Sequence, residues 1–595
     1  MKRQALLSLA GTGEARDVMA VALGAAHADC TVTNASVLNV YTGECLEGLT
    51  VSIKGRWIAH VGQDAGDRIS HKTEVIDAGG RLLIPGFIDG HTHLADMIYR
   101  PSEFIRYAAP GGTTTVITET IEPYPICGCE GIEDFLSALK DQPITFFATV
   151  PPVASNCKRM NGIPVEDLKR LLMRDDIVGL GEAYWSSVLQ EPDVFLPLIE
   201  ETLKRGKKAE GHSAGASIEK LMAYCAAGVS SCHEPIKAEE VLERLRLGLH
   251  VMIREGSIRR DLEQISEIRH AGIDMRRLML VTDGVGPTDL LENGYMEGLV
   301  QKAVDCGLDP VQAVQMATLN VAEYFNLDGL IGGLAPGRQA DMLLIPDMRN
   351  IQAELVIARG RVIAEKGRLT ASPRDHVFSD ALRNSIHLHA DMKAEDFSIR
   401  APEGLEEVKV RVIDQVTDLV TREALVKVEV KDGEIRSDVD SDLLKAAAID
   451  RGASPGKSFV GLIRGFRLRS GAVACSSGWD SSDIMAVGAR DADMAFAVNR
   501  IRALQGGVVV CDRGVILAEL PMPILGLMSE LPLPDIAVRM KEVIASIQGL
   551  GCLFGDPYRT LATLAGAAIP FIRLCDEGLV SLKTGQNLPL IETAA

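Results

Sequence analysis

The feature that most constrains the fold is a long alternation of short apolar runs with helical patterns between residues 81 and 330. Short apolar runs bounded by turn signals are typical of buried strands, and strands that alternate with helices favour parallel βα units. The runs are at 82–84, 115–117, 144–147, 177–180, 228–230, 251–253 and 278–281. About 250 residues of such units is the size of a (β/α)8 barrel, so the sequence predicts that fold for 81–330.

Side chains that can bind a metal ion stand at the ends of the predicted strands. His91 and His93 are two residues apart, and residues i and i+2 of a strand point to the same face, so both imidazoles can reach one ion. The remaining candidates follow in chain order: Glu182, His212, His233 and Asp283. The carboxyl ends of barrel strands converge on one mouth. Six nitrogen and oxygen ligands there could bind one or two divalent ions, and this donor set suits Zn, Fe or Mn.

Sequence blocks outside the barrel segment predict further domains. Residues 29–80 and 331–375 both contain short strands separated by turn signals, so they can pair into one small β-sandwich domain. Residues 1–28 predict an N-terminal helical extension, and 376–595 predict an additional α+β C-terminal domain. The predicted fold class is therefore α/β, a (β/α)8 barrel with a flanking β-sandwich domain and a C-terminal domain.

Composition and charge exclude several classes of function. The 595-residue chain is 47% apolar and 24% charged, as in ordinary globular proteins, and its formal net charge of −19 disfavours a nucleic acid partner. No stretch is apolar enough to span a bilayer, and no secretion signal is evident. Twelve scattered cysteines favour reduced thiols over a disulfide framework. We therefore expect a large cytoplasmic enzyme without membrane or nucleic acid partners.

At the predicted metal ligands the sequence resembles the amidohydrolase superfamily and, within it, the adenine deaminase family. The barrel segments that carry the resemblance include PGFIDGHTHL (85–94), GLGE (179–182), GHSAG (211–215), AGVSSCHE (227–234) and REGS (254–257). The last third resembles the C-terminal domain of that family in GARDADMAFAVNRI (488–501), QGGVVV (505–510) and ELPMPILGLMSE (519–530). Such a domain is uncommon among amidohydrolases, so the resemblance extends to the subfamily and covers nearly the whole chain.

The resemblance implies a role for each metal ligand. His91 and His93 would bind a first divalent ion. His212 and His233 would bind a second. Glu182 would bridge the two ions, where many relatives use a carboxylated lysine. The implied cofactors are two divalent ions, Mn²⁺ or Fe²⁺ with Zn²⁺ as an alternative, and the implied assembly is a homodimer or a larger homo-oligomer.

The implied reaction is hydrolytic deamination of adenine, or of a related aminopurine, which releases ammonia and converts adenine to hypoxanthine. A divalent ion lowers the pKa of bound water, and a hydroxide bridging the two metals would attack the carbon that carries the amino group. Asp283 would bind the first ion and pass a proton towards the departing ammonia. Asp283 and Glu182 are therefore the predicted catalytic residues.

Several positions depart from the pattern of the family. Residues 94–97 are Leu-Ala-Asp-Met in place of Ile-Glu-Ser-Ser, and 119–122 are Glu-Thr-Ile-Glu in place of Asp-Pro-His-Glu. Gly284 replaces a second aspartate, and 477–483 replaces a histidine-containing segment. These positions are expected near the substrate or beside the site, so a substituted purine or another cyclic amidine or amide stays open as the substrate.

Five further residues are candidates for contact with the substrate. Glu119 and Glu122 end a predicted strand and could face the barrel mouth. Arg254, Glu255 and Ser257 follow another strand end and could orient a ring through hydrogen bonds. Structural roles stay open as the alternative. Glu119 and Glu122 could be exposed loop carboxylates, and Arg254 could be a salt-bridged structural residue.

Two other functions stay open on the sequence. A ring-opening amidohydrolase of the hydantoinase or dihydroorotase kind usually has a barrel lysine as the bridging ligand, and here Glu182 occupies that position. A catalytically inactive scaffold relative would have no chemical need for six candidate ligands. Both arguments favour the deaminase interpretation.

Overall fold

Eight parallel strands form the centre of the barrel segment in the computed structural model, which describes Leu9 and residues 12–152, 162–452, 456–569 and 571–592. Five are paired side by side: Phe87–Thr92, Thr113–Thr118, Thr145–Val150, Ile177–Tyr184 and Lys208–His212. Three form a second group: Ser231–Cys232, His250–Arg254 and Leu278–Val281. Backbone hydrogen bonds join the two groups, from Ser230 to Ala209 and from Asp283 to His91, both 3.0 Å. The ring of strands therefore closes, which confirms the predicted (β/α)8 barrel.

Helices connect the barrel strands, and several begin with a proline. Proline suits the first position of a helix because its φ is already helical and its missing N–H would have no partner there. The helices are Pro101–Ala108, Pro123–Leu139, Val165–Leu172, Trp185–Gln190, Pro192–Lys204, Ile218–Ala226, Ala238–Arg246, Leu262–Ile265, Pro287–Asn293, Met296–Asp305, Pro310–Met316 and Leu319–Tyr324. Within the described ranges, no helix has both the length and the apolar character that a membrane crossing needs.

The flanking β domain is built from one continuous sheet that draws on two separate parts of the chain. Its strands in the described residues are Cys30–Asn39, Glu44–Lys54, Trp57–Gly62, Glu74–Asp77, Leu82–Pro85, Met342–Ile345, Leu355–Ala358, Arg361–Glu365 and Arg368–Leu369. Beside it lies the helix Ala15–Ala22. The carboxylate of Glu14, the residue directly before this helix, accepts a hydrogen bond from the indole of Trp57 at 2.6 Å. Residues 1–8, 10 and 11 of the predicted helical extension lie outside the described residues.

One apolar run belongs to a different sheet from the one expected. The run at 82–84, predicted as a barrel strand, pairs antiparallel with Met342–Ile345 and parallel with Cys30–Asn39. The prediction was wrong because a continuous apolar run indicates burial on both faces but does not identify the neighbouring strands. The barrel begins instead at Phe87, five residues later in the chain than Leu82.

The C-terminal domain is a second mixed sheet that packs over the barrel mouth. Its strands include Glu407–Gln415, Thr421–Glu429, Leu444–Ile449, Ser458–Arg464, Ala472–Cys475, Ile484–Gly488, Gly507–Asp512 and Val515–Pro521, and its longer helices are Asp491–Leu504 and Leu533–Gly549. The backbone N–H of Ser529 donates to the carbonyl of Ile98 at 2.6 Å. The N–H of Leu533 donates to the carboxylate of Glu103 at 2.9 Å. Both barrel residues follow the first barrel strand, so the domain contacts the end of the barrel where the candidate ligands lie.

A buried carboxyl group in the barrel is expected to make stability depend on pH. Glu297 lies against Gly111 and Gly294, and its Oε2 atom is buried without a hydrogen-bond partner in the described structure. Burial raises the pKa of Glu297 to about 7. The folded state therefore favours the neutral acid, and this contribution is complete at low pH and lost as pH rises through about 7.

We expect Glu297→Gln, which stays neutral, to raise the Tm by about 2–5 °C relative to the unmodified protein near pH 8.5, with little effect near pH 4, where the carboxyl is neutral in both the folded and the unfolded state. Thermal unfolding at both pH values measures this difference. Glu47→Gln, at an exposed position, is the control and is expected to leave the Tm unchanged at both pH values. An equal shift at both pH values would show that ionisation of Glu297 is not the cause.

Candidate metal centre

The six predicted metal ligands lie together at the carboxyl ends of the barrel strands, with Glu182 in the middle. Its Oε1 atom is 3.0 Å from Nε2 of both His91 and His93. The same atom is 3.2 Å from Nε2 of His233, and Oε2 is 3.2 Å from Nδ1 of His212. One carboxylate therefore contacts all four imidazoles, as a group between two ions would.

Asp283 completes the cluster from the last barrel strand. Its Oδ1 atom is 3.4 Å from Nε2 of His91 and 3.5 Å from Nε2 of His93. Asp283 has a positive φ of 59°, in the left-handed region that aspartate tolerates better than most residues, and its N–H donates to the carbonyl of His91. This backbone geometry turns the carboxylate towards the histidines.

A hydrogen-bond network below the cluster fixes the first barrel strand. The fully buried carboxylate of Asp89 accepts hydrogen bonds from the hydroxyl of Thr282 at 2.6 Å, the hydroxyl of Tyr295 at 2.5 Å and the N–H of His91 at 3.2 Å. Burial raises the pKa of Asp89, and the hydrogen bonds from Thr282 and Tyr295 oppose that rise. The network joins the first and last strands of the barrel, which carry His91 and Asp283.

Carboxylates outside the predicted ligand set contact the imidazole nitrogens of His91 and His93 that face away from Glu182. Nδ1 of His91 lies 3.3 Å from Oε2 of Glu210 and 3.7 Å from Oε1 of Glu119. Nδ1 of His93 lies 2.5 Å from Oε1 of Glu122. Such partners orient metal-binding imidazoles and raise their basicity. Glu119 and Glu122 were expected to face the substrate, and the structure places both against the histidines instead.

Arg254 lies on the cavity side of the cluster and contacts two of its carboxylates. Its Nη1 donates to Glu234 at 2.8 Å and to Oδ2 of Asp283 at 3.3 Å. Glu234 in turn lies 3.0 Å from Nε2 of His233 and 3.3 Å from Nε2 of His212. Arg254 is therefore both a cavity residue and a salt-bridged one.

Two of the predicted substrate contacts point away from the cluster. Glu255 pairs with Lys302 at 2.6 Å, and Ser257 accepts a hydrogen bond from the N–H of Gly286 at 2.7 Å and donates one to Asp289. Neither side chain is among the described residues that line the cavity above the metal ligands. Successive residues along an extended segment face opposite sides, so the inward position of Arg254 turns Glu255 outward.

The cavity above the cluster has a volume of about 350 Å³. Its floor carries most of the candidate ligands, with Glu234 and Arg254 beside them. Its opposite wall comes from the C-terminal domain: Leu419, Val420, Trp479, Thr563, Gly566, Ala568 and Ile569. Both the barrel and the C-terminal domain are therefore needed to enclose a ligand here.

The donor set fits divalent metal ions. His91, Glu182, His233 and Asp283 each offer one ligand atom within 4.8 Å of the others. Burial opposes ionisation of Glu182, but the surrounding histidines, His233 and His93 foremost, hold its pKa well below the ordinary range. The carboxylate is therefore ionised. Buried imidazoles that converge on an ionised carboxylate are the ligands that Zn, Fe and Mn bind in proteins.

A (β/α)8 barrel with this cluster at its mouth defines a metal-dependent hydrolase of the amidohydrolase type, and the model of the amidohydrolase family matches residues 82–365. The model of the adenine deaminase C-terminal domain matches residues 418–586. The chain is 37% identical to the adenine deaminase of Moorella thermoacetica, over 97% of this chain and 98% of the relative. It is 34% identical to that of Cenarchaeum symbiosum, over 97% and 95%. The chain belongs to the adenine deaminase family.

Among solved structures, the chain is similar to the β-aspartyl dipeptidase of Fervidobacterium islandicum AW-1, with 18% identity and a TM-score of 0.46 over 57% of this chain and 98% of that one.

Proposed function

We propose that the protein hydrolyses adenine to hypoxanthine and ammonia. The observation that carries the proposal is the position of Glu182, whose carboxylate contacts four buried histidines at the base of an enclosed cavity. Membership of the adenine deaminase family over nearly the whole chain supports adenine as the substrate. No observation favours ring opening or a scaffold role.

The proposed metal ligands follow the contacts of Glu182. His91, His93 and Asp283 would hold one ion. His212 and His233 would hold the other, and Glu182 would contribute to both. Mn²⁺ or Fe²⁺ is the proposed metal, with Zn²⁺ as the alternative. When bound, a divalent ion lowers the pKa of water and so supplies hydroxide near neutral pH.

Asp283 is the residue proposed to move the proton. Its Oδ1 atom faces His91 and His93, and its Oδ2 atom faces Arg254. Burial would raise the pKa of Asp283, but hydrogen bonds with the two histidines hold it well below the ordinary range. Asp283 is therefore ionised and can accept a proton from the attacking water, then donate it to the amino group as ammonia departs.

Other residues of the chain are proposed to position this machinery. Glu210 and Glu119 orient His91, and Glu122 orients His93, through the ring nitrogen that faces away from Glu182. Arg254 holds the Asp283 carboxylate in place. A cytoplasmic location, a homodimeric or larger assembly and the absence of nucleic acid and membrane partners, all predicted from the sequence, belong to the same proposal.

The test is ammonia release from adenine by the Mn²⁺-loaded protein, with hypoxanthine and metal content measured on the same sample. We expect equal amounts of ammonia and hypoxanthine, about two ions per chain, and loss of activity on chelation with recovery on addition of Mn²⁺. Hydantoin and dihydropyrimidine rings are the control substrates and are expected to remain intact. Metal-loaded protein that leaves adenine unchanged would refute the proposal.

A further inference from the structure

The C-terminal domain places one aromatic side chain beside the metal cluster. The indole of Trp479 lies with its centroid 5.7 Å from that of the His93 imidazole, at an interplanar angle of 56°. Trp479 is partly exposed, although both of its chain neighbours, Gly478 and Asp480, are buried. Among the described residues that line the cavity, it has the one aromatic ring that is not an imidazole.

Hydrogen bonds from both domains fix the position of this indole. The backbone N–H of Trp479 donates to the carbonyl of Ala562 at 2.9 Å. The carboxylate of the next residue, Asp480, accepts from the N–H of Ala567 at 2.7 Å and from the hydroxyl of Tyr184 at 3.0 Å. Tyr184 ends the barrel strand that carries Glu182. The segment that presents Trp479 is therefore tied directly to the strand that bears the central carboxylate.

The wall around Trp479 is apolar, in contrast to the floor. Leu419, Val420 and Ile569 line the same side of the cavity, whereas the floor is made of imidazoles, carboxylates and a guanidinium. A ligand that spans the cavity therefore meets charged and hydrogen-bonding groups at one end and an aromatic and aliphatic surface at the other. A flat, unsaturated heterocycle suits such a surface because its π-face can pack on an indole.

We propose that Trp479 contacts the substrate ring and selects planar purines over puckered, saturated cyclic amides. The inference rests on the proposed deaminase function and adds to it a specificity residue that the barrel does not supply. The contact contributes to binding of the ring and not to the proton transfers, since an indole neither gains nor loses a proton near neutral pH. Loss of the indole should therefore raise KM for adenine and leave kcat nearly unchanged.

Steady-state kinetics of the metal-loaded full-length protein provide the first test. We expect Trp479→Ala to raise KM for adenine by about 10- to 100-fold, the range of a lost base–aromatic stack, with kcat within about threefold. Trp479→Phe keeps an aromatic face and is expected to recover most of the affinity. Trp185→Phe, a change at a tryptophan that does not line the cavity, is the matched control. Metal content and Tm of each variant show whether the protein remains folded.

Tryptophan fluorescence provides a second readout that does not need turnover. Hypoxanthine is expected to quench the unmodified protein and Trp185→Phe, and to leave Trp479→Phe unquenched. Active protein whose KM is insensitive to Trp479→Ala, or whose quenching survives Trp479→Phe, would overturn the role of Trp479 and leave the deaminase proposal intact. Absence of adenine turnover by the unmodified protein would instead overturn the deaminase proposal. In that case, quenching of the Trp479 fluorescence by adenine tests the contact alone. If adenine does not quench the fluorescence, the inference about Trp479 is overturned too.

Discussion

Replacement of Asp283 by asparagine is expected to lower kcat for adenine by about 10²–10⁴-fold, the usual contribution of a positioned general acid or base. Asparagine has nearly the same shape and keeps an oxygen that can face His91 and His93, but it cannot accept a proton. Because Glu182 and the four histidines remain, we expect most of the metal to stay bound. Rate assays and metal analysis on the same preparation measure both effects.

Asp261→Asn is the matched control for this change. Asp261 is also buried and also accepts a hydrogen bond from Arg254, at 3.3 Å, but on the other Nη atom and away from the histidines. We expect a much smaller decrease in kcat than for Asp283→Asn. Similar losses in the two variants would show that the Arg254 network, and not proton transfer by Asp283, limits the rate.

Much of the barrel and all six candidate ligands could be predicted from the sequence because they follow simple rules. Parallel strands buried on both faces are rich in aliphatic residues, and ligands at their carboxyl ends interrupt that composition. The strand Lys208–His212 is the least evident because charged or polar residues, Lys208, Glu210 and His212, alternate with small ones. A strand that carries functional residues along its length loses the apolar run by which strands are recognised.

Glu210 and Glu234 are functional-site residues that the sequence analysis missed, although one signal was present. Glu210 is two residues before His212 in the same strand, so it shares the inward face. Glu234 follows His233 directly, and its inward position depends on a local turn and on Arg254, which is distant in sequence. Glu210 could have been found by the alternation rule, whereas the position of Glu234 can be found only from its tertiary contact with Arg254.

The roles expected for Glu119, Glu255 and Ser257 show a different limit. Their position after barrel strands places them near the mouth, but a strand end is surrounded by ligands, neighbouring loops and helices as well as by the cavity. Glu119 contacts the side of His91 that faces away from the cavity and does not line the cavity. Glu255 is paired with Lys302. Sequence position gives the layer in which a side chain lies, and only packing decides which neighbour it contacts.

The C-terminal contribution to the cavity depends on the docking of two domains, which no local pattern encodes. Trp479 and Ile569 are far from the barrel ligands in sequence, and they reach the cavity because Asp480 binds Tyr184 and because Ser529 and Leu533 bind the loop and helix after the first barrel strand. The departure of residues 477–483 from the family pattern indicated a position near the substrate, but it did not indicate that Trp479 lines the cavity.

Replacement of Glu182 by alanine is expected to lower activity by at least about 10³-fold and to remove at least one of the two metal ions. Among the described residues, Glu182 is the one side chain that contacts all four histidines, so its loss leaves the imidazoles without the ionised carboxylate between them. Metal binding to the folded state alone also stabilises the fold. We therefore expect chelation to lower the Tm of the unmodified protein by several degrees and to change that of Glu182→Ala much less.

Glu243→Gln separates this effect from a general change of charge in the cavity. Glu243 also lines the cavity, but its side chain is 52% exposed and lies at the rim. We expect Glu243→Gln to retain its metal, most of its activity and the full response of Tm to chelation. If Glu182→Ala also kept two ions per chain and responded to chelation as the unmodified protein does, Glu182 would not be a metal ligand. The four histidines and Asp283 would then hold both ions without it, and the contacts of Glu182 with the histidines would be structural.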